Sequence, residues 1–340
     1  MTLPRTTNHE QQTMPQIRFL SRADVQQALG MHEAISLMRQ AFIALSEGRA
    51  TVPVRLNVPM PEYNGHALFM PAYLPDTEHV GLKVVTVHPD NPTRGLPFIH
   101  ALMMVTDAAT GRPIAVMDGE YLTALRTGAG AGLATDLLAR PEAEVAAIFG
   151  AGVQARTQLE ALCAVRPIRR AYVFSRSRDN AEAFAQEMST RLALDVQVAD
   201  DPETLGEADV VCTATTSLTP VFAHAHLKPG VHINGIGSYR PEMAEIPPET
   251  VLAAKVVVDH RPSCLAEAGD LIQLLERGLI TENHIHAELG EIAAGHQTGR
   301  TSEDDVTFFK SVGNAVQDLA AASHVVAVAE ARGLGTEVTL

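Results

Sequence analysis

Hydrophobic residues recur at helical spacing near the start of the chain and at every second position after it. Ser21 and Asp24 have the spacing of a capping box, and an apolar helical pattern then continues until Gly48. From Val54 the period is two, and further strand-like runs follow at 67–73, 80–88, 98–107 and 114–118. This part of the chain predicts two helices and a mostly antiparallel sheet.

A helical pattern over about 122–138 contains Gly128, Gly130 and Gly132. Each glycine costs a helix about 1 kcal/mol relative to alanine, so their presence indicates that something approaches this helix closely. Two explanations remain open at this point: another helix packs against the glycines, or they leave room beside a bound cofactor.

Beyond Pro141 short apolar runs alternate with helical patterns such as 179–192, which is typical of a doubly wound parallel sheet. Its strands are expected at 144–149, 171–175, 195–199, 209–214, 231–235 and 255–259. Ser302 and Asp305 have a second capping-box spacing, which predicts a long helix from there to about Ala331. We expect that helix to return to the first part of the chain.

These patterns predict an α/β protein with a doubly wound Rossmann domain and a discontinuous α+β domain. The Rossmann domain is expected over residues 139–305. The second domain would combine 17–138 with 306–340, and the polar residues 1–16 predict a flexible tail.

Composition excludes several classes of function. The formal net charge is −14 over 340 residues and the basic residues are scattered, so we expect no nucleic-acid partner. The three cysteines are far apart, which favours free thiols in a reducing compartment. The beginning of the chain lacks the apolar core of a signal peptide, and we expect a cytoplasmic protein. The longest apolar stretch, 312–331, is too polar for a membrane span because it contains Asn314, Gln317, Asp318 and His324.

A glycine motif supplies the first chemical indication. Gly150, Gly152 and Ala155 form a G-x-G-x-x-A pattern that follows an apolar strand and opens a helix. The first glycine permits a tight turn, the second permits close approach of a pyrophosphate, and helix N-terminal amides face the phosphates. This context predicts a dinucleotide site.

The next strand ends in Ser175, Arg176 and Ser177, where an NAD site usually has an acidic residue for the ribose 2′-hydroxyl. A guanidinium with neighbouring hydroxyls suits a 2′-phosphate, so NADPH is the expected cofactor, with NADH possible. A solvated basic turn is the alternative. Later strand ends supply further candidate cofactor contacts, although turn chemistry alone would explain the glycine among them: Thr213, Thr215, Asn234 and Gly235.

Five segments carry a resemblance to a known family. They are Gly81-Leu-Lys83, Leu122-Thr-Ala-Leu-Arg-Thr-Gly128, Phe149-Gly-Ala-Gly-Val-Gln-Ala155, Ile233-Asn-Gly-Ile-Gly237 and Phe309-Lys-Ser-Val-Gly313. The chain resembles the ornithine cyclodeaminase and mu-crystallin family from about residue 20 onward. The resemblance implies a homodimer that pairs through the non-Rossmann domains, and a cleft where nicotinamide meets a small amino or imino acid.

The resemblance also implies roles for single residues. Arg55 and Arg126 match residues that hold the substrate carboxylate, and Lys83 matches the active-site lysine, whose ammonium suits proton donation to an imine nitrogen. Without the resemblance, Arg55 and Lys83 are equally explained as solvated charges. The remaining matches are a pocket-lining residue and contacts to the cofactor: Val312 for the pocket, and Val153, Gln154, Thr213 and Ser311 for the cofactor.

One departure from the family pattern bears on the reaction. Cyclodeaminases carry an aspartate shortly after the fifth strand to handle the side-chain amine, and this chain has Tyr239 there, with Glu242 and Glu245 as poorly placed substitutes. Reduction of a preformed cyclic imine needs no such acid. The hypothesis is therefore an NAD(P)H-dependent ketimine reductase that acts on Δ1-pyrroline-2-carboxylate or Δ1-piperideine-2-carboxylate and forms L-proline or L-pipecolate.

Other functions remain open. Ornithine cyclodeaminase activity, alanine dehydrogenase activity and an NADPH-dependent binding protein like mu-crystallin are the alternatives that the resemblance implies. No metal is expected, because the histidine pairs 224/226 and 284/286 lack helical ligand spacing.

Overall fold

The computed structural model describes residues 16–339, which form one sheet of seven strands and one of eight. The flexible tail expected at 1–16 falls outside the described residues except for Gln16, which begins the first strand. The α/β class with a doubly wound parallel sheet is confirmed.

The seven-stranded sheet has the order β15-β1-β6-β5-β4-β3-β2 and is antiparallel except where β1 pairs with β6. Alternate residues of β4 face the interior, so Lys83 lies on the buried side with Val85. The strands are β1 (Gln16–Leu20), β2 (Leu56–Met60), β3 (Gly65–Leu74), β4 (His79–Val87), β5 (Ile99–Asp107), β6 (Pro113–Asp118) and β15 (Thr336–Thr339).

Three helices pack against one face of this sheet, and the helix over Met31–Ser46 packs against two of them. The predicted capping box forms, because Ser21 Oγ accepts a hydrogen bond from the Asp24 amide and the Asp24 carboxylate accepts one from the Ser21 amide. The third helix begins a few residues before the expected start, since Asp118 caps it by accepting from the Tyr121 amide. The helices are α1 (Arg22–Ala28), α2 (Met31–Ser46), α3 (Gly119–Leu138) and α10 (Ala315–Arg332).

The glycines of α3 serve helix packing. A Cβ at Gly128 would lie 2.5 Å from the carbonyl oxygen of Thr157, and one at Gly132 would lie 2.9 Å from Ile35 and 3.1 Å from Ala161. Of the two explanations left open by the sequence, close packing of neighbouring helices is therefore the one that the structure supports.

The eight-stranded sheet is parallel throughout, with the order β13-β12-β14-β11-β10-β7-β8-β9. Its strands are β7 (Val145–Phe149), β8 (Arg170–Phe174), β9 (Asp195–Val198), β10 (Val210–Thr213), β11 (His232–Gly235), β12 (Lys255–Val258), β13 (Ile285–Glu288) and β14 (Thr307–Lys310). Its helices are α4 (Val153–Val165), α5 (Arg178–Leu192), α6 (Pro248–Ala253), α7 (Arg261–Glu267), α8 (Gly269–Glu276) and α9 (Leu289–Ala293).

The predicted start of the last helix is wrong. Asp305 does accept a hydrogen bond from the Ser302 amide, but the chain then becomes extended as β14, which inserts between β11 and β12. Phe308 is fully buried in that sheet, so tertiary burial overrides the local capping signal. The helix α10 begins later, behind a different capping box, Asn314 with Gln317.

Candidate active site

The glycine motif forms the turn between β7 and α4. Gly150 has a φ of +108°, and a Cβ there would lie 2.6 Å from the Ala214 carbonyl oxygen, so only glycine fits. A Cβ at Gly152 would meet no atom within 4 Å, which leaves the start of α4 open to a ligand. Ala155 is buried against the sheet, and the Gln154 Oε1 atom is buried without a hydrogen-bond partner among residues 16–339.

A cleft of about 650 Å³ adjoins this turn at the carboxyl edge of the parallel sheet. Ser175, Arg176, Ser177 and Thr215 are among the residues that line it. The Arg176 guanidinium is exposed and has no carboxylate within ion-pair distance in the described part of the chain. Together with the open glycine turn, these residues fit a dinucleotide.

Two of the expected cofactor contacts are interior packing positions. The Asn234 side chain is fully buried, and its Nδ2 donates to Thr135 Oγ1 at 2.9 Å. A Cβ at Gly235 would lie 2.7 Å from the Phe308 ring. Neither residue is among those that line the cleft, so a contact of these two residues with the cofactor stays a prediction.

A buried cationic cluster lies between β4, α3 and α10. Lys83 Nζ is 2.8 Å from Asp318 Oδ2, and Arg126 Nε donates to Asp318 Oδ1 at 2.8 Å. Arg126 Nη1 also donates to Gln317 Oε1 at 3.0 Å. Lys83 is 2% exposed and Asp318 0%, so the explanation of Lys83 as a solvated charge is wrong. One carboxylate thus orients both the ammonium and a guanidinium.

Burial dominates the electrostatics of this cluster. Desolvation lowers the pKa of Lys83 from 10.5 to about 7, with Asp318 opposing the shift and Arg126 adding to it. Burial alone would raise the pKa of Asp318, but Arg126 and Lys83 together hold it below its ordinary value. Asp318 is therefore ionised, and Lys83 exchanges its proton near neutral pH, as a general acid requires.

Arg55 precedes β2 and reaches across to α7. Its Nε donates to Glu267 Oε1 at 2.7 Å, its Nη2 pairs with Glu267 Oε2, and Nη2 also donates to the Val312 carbonyl oxygen at 3.0 Å. These bonds occupy one edge of the guanidinium. The Nη1 end has no partner within residues 16–339, so it remains available to an anion.

The 311–313 segment connects the cationic cluster to the parallel sheet. Asp259 Oδ2, just past β12, accepts from Ser311 Oγ at 2.7 Å, from the Val312 amide at 3.0 Å and from the Gly313 amide at 2.8 Å. A Cβ at Gly313 would lie 3.0 Å from Arg126 Nη1. The cluster therefore borders the same carboxyl edge of the sheet that carries the cleft.

Three carboxylates of this site were missed from the sequence: Glu267, Asp259 and Asp318. For Asp318 a signal existed, because it lies among apolar residues in the first half of the stretch 312–331, whose other acid, Glu330, stands near its end. An acid buried at such a position needs a cationic partner. The pairing of Arg55 with Glu267 had no comparable signal, since 212 positions separate them.

The loop after β11 contains no free acid that faces the cluster. Tyr239 is partly buried, and burial raises its pKa. Glu242 is exposed and pairs with Arg240, whereas Glu245 is buried and hydrogen-bonded within the sheet edge. Within residues 16–339 no group of three His, Cys, Asp or Glu is arranged to hold a metal, and no helix is long and apolar enough to cross a bilayer.

In this fold the cleft of the parallel sheet adjoins a buried cationic cluster, and the relatives described below define the class: the chain is an NAD(P)H-dependent oxidoreductase. The sequence profile of the ornithine cyclodeaminase/mu-crystallin family matches residues 16–332, and the chain belongs to that family.

Two reductases and one alanine dehydrogenase are among the individual proteins that are similar to this chain. A Δ1-pyrroline-2-carboxylate reductase from Bacillus cereus is 39% identical over 321 residues, which cover 94% of this chain and 98% of that protein. The structure of Thermococcus litoralis Δ1-pyrroline-2-carboxylate reductase in complex with NADH and L-proline has a TM-score of 0.92 at 41% identity, covering 95% of this chain and 100% of that one. An archaeal alanine dehydrogenase dimer with bound NAD has a TM-score of 0.89 at 34% identity, covering 95% and 99%.

Proposed function

We propose that this protein reduces Δ1-pyrroline-2-carboxylate to L-proline with a reduced nicotinamide dinucleotide, and that the six-membered Δ1-piperideine-2-carboxylate is its second substrate. The observation that carries the proposal is the Lys83–Asp318–Arg126 cluster, which places a titratable ammonium beside a guanidinium at the edge of the cleft. The reductase relatives, one of them solved with NADH and L-proline, support the same substrate.

In the proposed reaction two arginines bind the substrate, and Lys83 supplies the proton. Arg126 and the free end of Arg55 hold the substrate carboxylate, and Val312 lines the pocket beside them. Bound reduced nicotinamide supplies the hydride to the imine carbon. The Lys83 ammonium donates its proton to the ring nitrogen, which thereby becomes the amine, and Lys83 then takes a proton from solvent. Asp318 keeps Lys83 protonated near neutral pH.

Cyclodeaminase activity is disfavoured by the loop after β11. A full cycle of amine oxidation, ring closure, ammonia loss and hydride return needs a base for the side-chain amine, and Tyr239 occupies the position where cyclodeaminases carry that aspartate. Glu245 is not a substitute because both of its oxygens accept hydrogen bonds from the surrounding chain. Alanine dehydrogenase activity is the second candidate, because an archaeal relative of similar fold carries that name.

We propose NADPH as the preferred dinucleotide, held at its pyrophosphate by Gly150, Gly152, Val153, Gln154 and Ala155. Arg176 supports this choice because its exposed guanidinium lines the cleft and forms no ion pair with any residue in the range 16–339. Arg176→Ala should raise KM for NADPH by about 10- to 100-fold, the value of a charge-assisted hydrogen bond, and leave KM for NADH nearly unchanged. Equal changes for both dinucleotides would contradict the preference.

We also propose a homodimer that pairs through the seven-stranded sheet. Leu56, Phe69, Val84 and Leu102 are register partners across β2 to β5, so they form one row on the face away from the helices. Leu56 is 62% exposed and Leu102 57%, and an exposed apolar row of this kind marks an interface. Leu102→Glu should give a monomer in light scattering, and an unchanged mass would refute this pairing.

A substrate panel tests the proposed reaction. The purified protein, with NADPH or NADH, is assayed against both cyclic imines, pyruvate with ammonia, and ornithine. The cyclic imines should have the highest kcat/KM by at least an order of magnitude. Arg126→Ala should abolish their turnover while the dissociation constant for NADPH stays unchanged. Comparable ammonia release from ornithine, or faster reduction of pyruvate with ammonia, would overturn the assignment.

A further inference from the structure

Glu245 lies at the carboxyl edge of the parallel sheet, outside the cationic cluster, and is fully buried. Its Oε1 accepts from the Thr215 amide at 2.6 Å and from Thr215 Oγ1 at 2.7 Å. Its Oε2 accepts from Thr213 Oγ1 at 2.9 Å, from the Gly237 amide at 2.7 Å and from the Ser238 amide at 3.1 Å. One carboxylate therefore joins the loop after β10 to the loop after β11.

A second buried ion pair holds Glu245 in place. The Asp270 Oδ1 atom accepts from the Glu245 amide at 2.7 Å and from the Ile246 amide at 3.0 Å. Asp270 Oδ2 lies 3.0 Å from Lys310 Nζ, and both side chains are 0% exposed. Burial raises the pKa of Glu245, and Lys310 opposes that shift by attracting the carboxylate, whereas Asp270 repels it. Such an arrangement stabilises one geometry of the two loops, because a displaced donor or charge would be left buried and unpaired.

The joined loops contact the dinucleotide cleft directly. A Cβ at Gly237 would lie 2.1 Å from the Thr215 carbonyl oxygen, so the two loops are in contact, and Thr215 lines the cleft. The Ala214 carbonyl oxygen in turn packs against Gly150 of the glycine turn. The second strand, β8, serves the adenosine half of a dinucleotide in a doubly wound sheet, so β10 and β11, on the other side of β7, face the nicotinamide half.

We infer that Glu245 is a positioning residue for the nicotinamide half of the cofactor: it shapes the β10 and β11 loops and does not contact the reacting atoms. This inference rests on the proposed function only in that a nicotinamide dinucleotide binds in the cleft. Glutamine at position 245 cannot reproduce the arrangement. It has one acceptor oxygen, and its NH₂ group would face the Thr215 amide on one side or the Gly237 and Ser238 amides on the other.

The test compares a whole cofactor with its adenosine half. Dissociation constants for NADH and for ADP-ribose are measured by calorimetry on the full chain, for wild type, Glu245→Gln and the control Glu242→Gln. Glu242 lies in the same loop, is exposed and pairs only with Arg240 among the described residues. We expect Glu245→Gln to weaken NADH at least tenfold and leave ADP-ribose unchanged, and Glu242→Gln to change neither.

Each other outcome contradicts the inference in a distinct way. Equal weakening of NADH and ADP-ribose binding would show that the substitution disturbs the whole cleft. No change in either dissociation constant would show that Glu245 has no positioning role. If Glu245→Gln does not fold, Thr213→Val removes one of the five hydrogen bonds and should weaken NADH in the same selective way; unchanged NADH binding then refutes the inference. Failure of the wild type to bind NADH would instead refute the proposed function.

Discussion

Replacing Asp318 by asparagine removes the carboxylate that lies 2.8 Å from Lys83 Nζ while keeping the size of the side chain. Two unit charges about 4 Å apart attract by about 4 kcal/mol at an effective dielectric constant of about 20. Allowing for relaxation, we take a loss of about 3 kcal/mol, which is about two pH units in the proton affinity of Lys83. Burial and Arg126 already lower the pKa of Lys83 to about 7. Asp318 is the group of the cluster that opposes this shift, so its removal lowers the pKa further.

The assay is the pH dependence of kcat/KM for Δ1-pyrroline-2-carboxylate, which reports the ionisable groups of the free enzyme. If the Lys83 ammonium is the proton donor, the wild type loses activity as the pH rises through about 7. In Asp318→Asn this fall should move to lower pH by about two units, and the activity at neutral pH should fall by about 50-fold. The substrate is common to both profiles, so its own titration does not produce the difference.

Loss of a buried ionic partner also destabilises a protein by about 3–5 kcal/mol, so folding must be verified by circular dichroism and by NADPH binding. Asp76→Asn is the matched control, because Asp76 is exposed and pairs with Arg49 on the surface. An unshifted high-pH limb in Asp318→Asn, even with lower overall activity, would refute Lys83 as the donor whose pKa Asp318 sets.

Three further predictions concern other parts of the site and the fold. Glu267→Gln should raise KM for the imino acid by about tenfold with kcat nearly unchanged, because Arg55 loses the carboxylate that holds its guanidinium in place. An unchanged KM in steady-state kinetics would contradict this. Gly128→Ala should destabilise the protein by about 1–3 kcal/mol in urea unfolding, because its methyl group would overlap the Thr157 carbonyl, and a stability gain would be the opposite result. Lys83 has a folded-state pKa of about 7 and an ordinary value of 10.5, so the unfolded chain binds more protons between them and stability rises with pH across that window; Lys83→Met should flatten the rise in urea unfolding at several pH values.

Six of the eight strands of the parallel sheet were predictable because they are short, largely apolar runs bounded by turn residues, whereas β13 (Ile285–Glu288) was not expected. The strand at Thr307–Lys310 was not, since its two phenylalanines precede an apolar helix without a break and the capping signal at Ser302 lies before both. Whether residues 307–310 form a strand or the start of a helix depends on the gap between β11 and β12. That gap exists only in the assembled sheet.

The site shows the same division between local and tertiary information. The glycine turn was predictable because the turn, the helix start and the small residue at Ala155 are local requirements. The partners of Lys83 and Arg126 were not, because Asp318 approaches from the far end of the chain and its role appears only when α10 crosses β4 and α3. The buried hydrogen bond from Asn234 to Thr135 was not predictable either, because 99 positions separate the two residues.

The most direct test of the proposed function is the product formed from Δ1-pyrroline-2-carboxylate. The purified protein is incubated with the imine and a limiting amount of NADPH, and the products are separated on a chiral column. The account predicts one molecule of L-proline for each NADPH oxidised, with no product when Arg126→Ala replaces the wild type. NADPH oxidation without L-proline, or no oxidation while ornithine is consumed with release of ammonia, would contradict it.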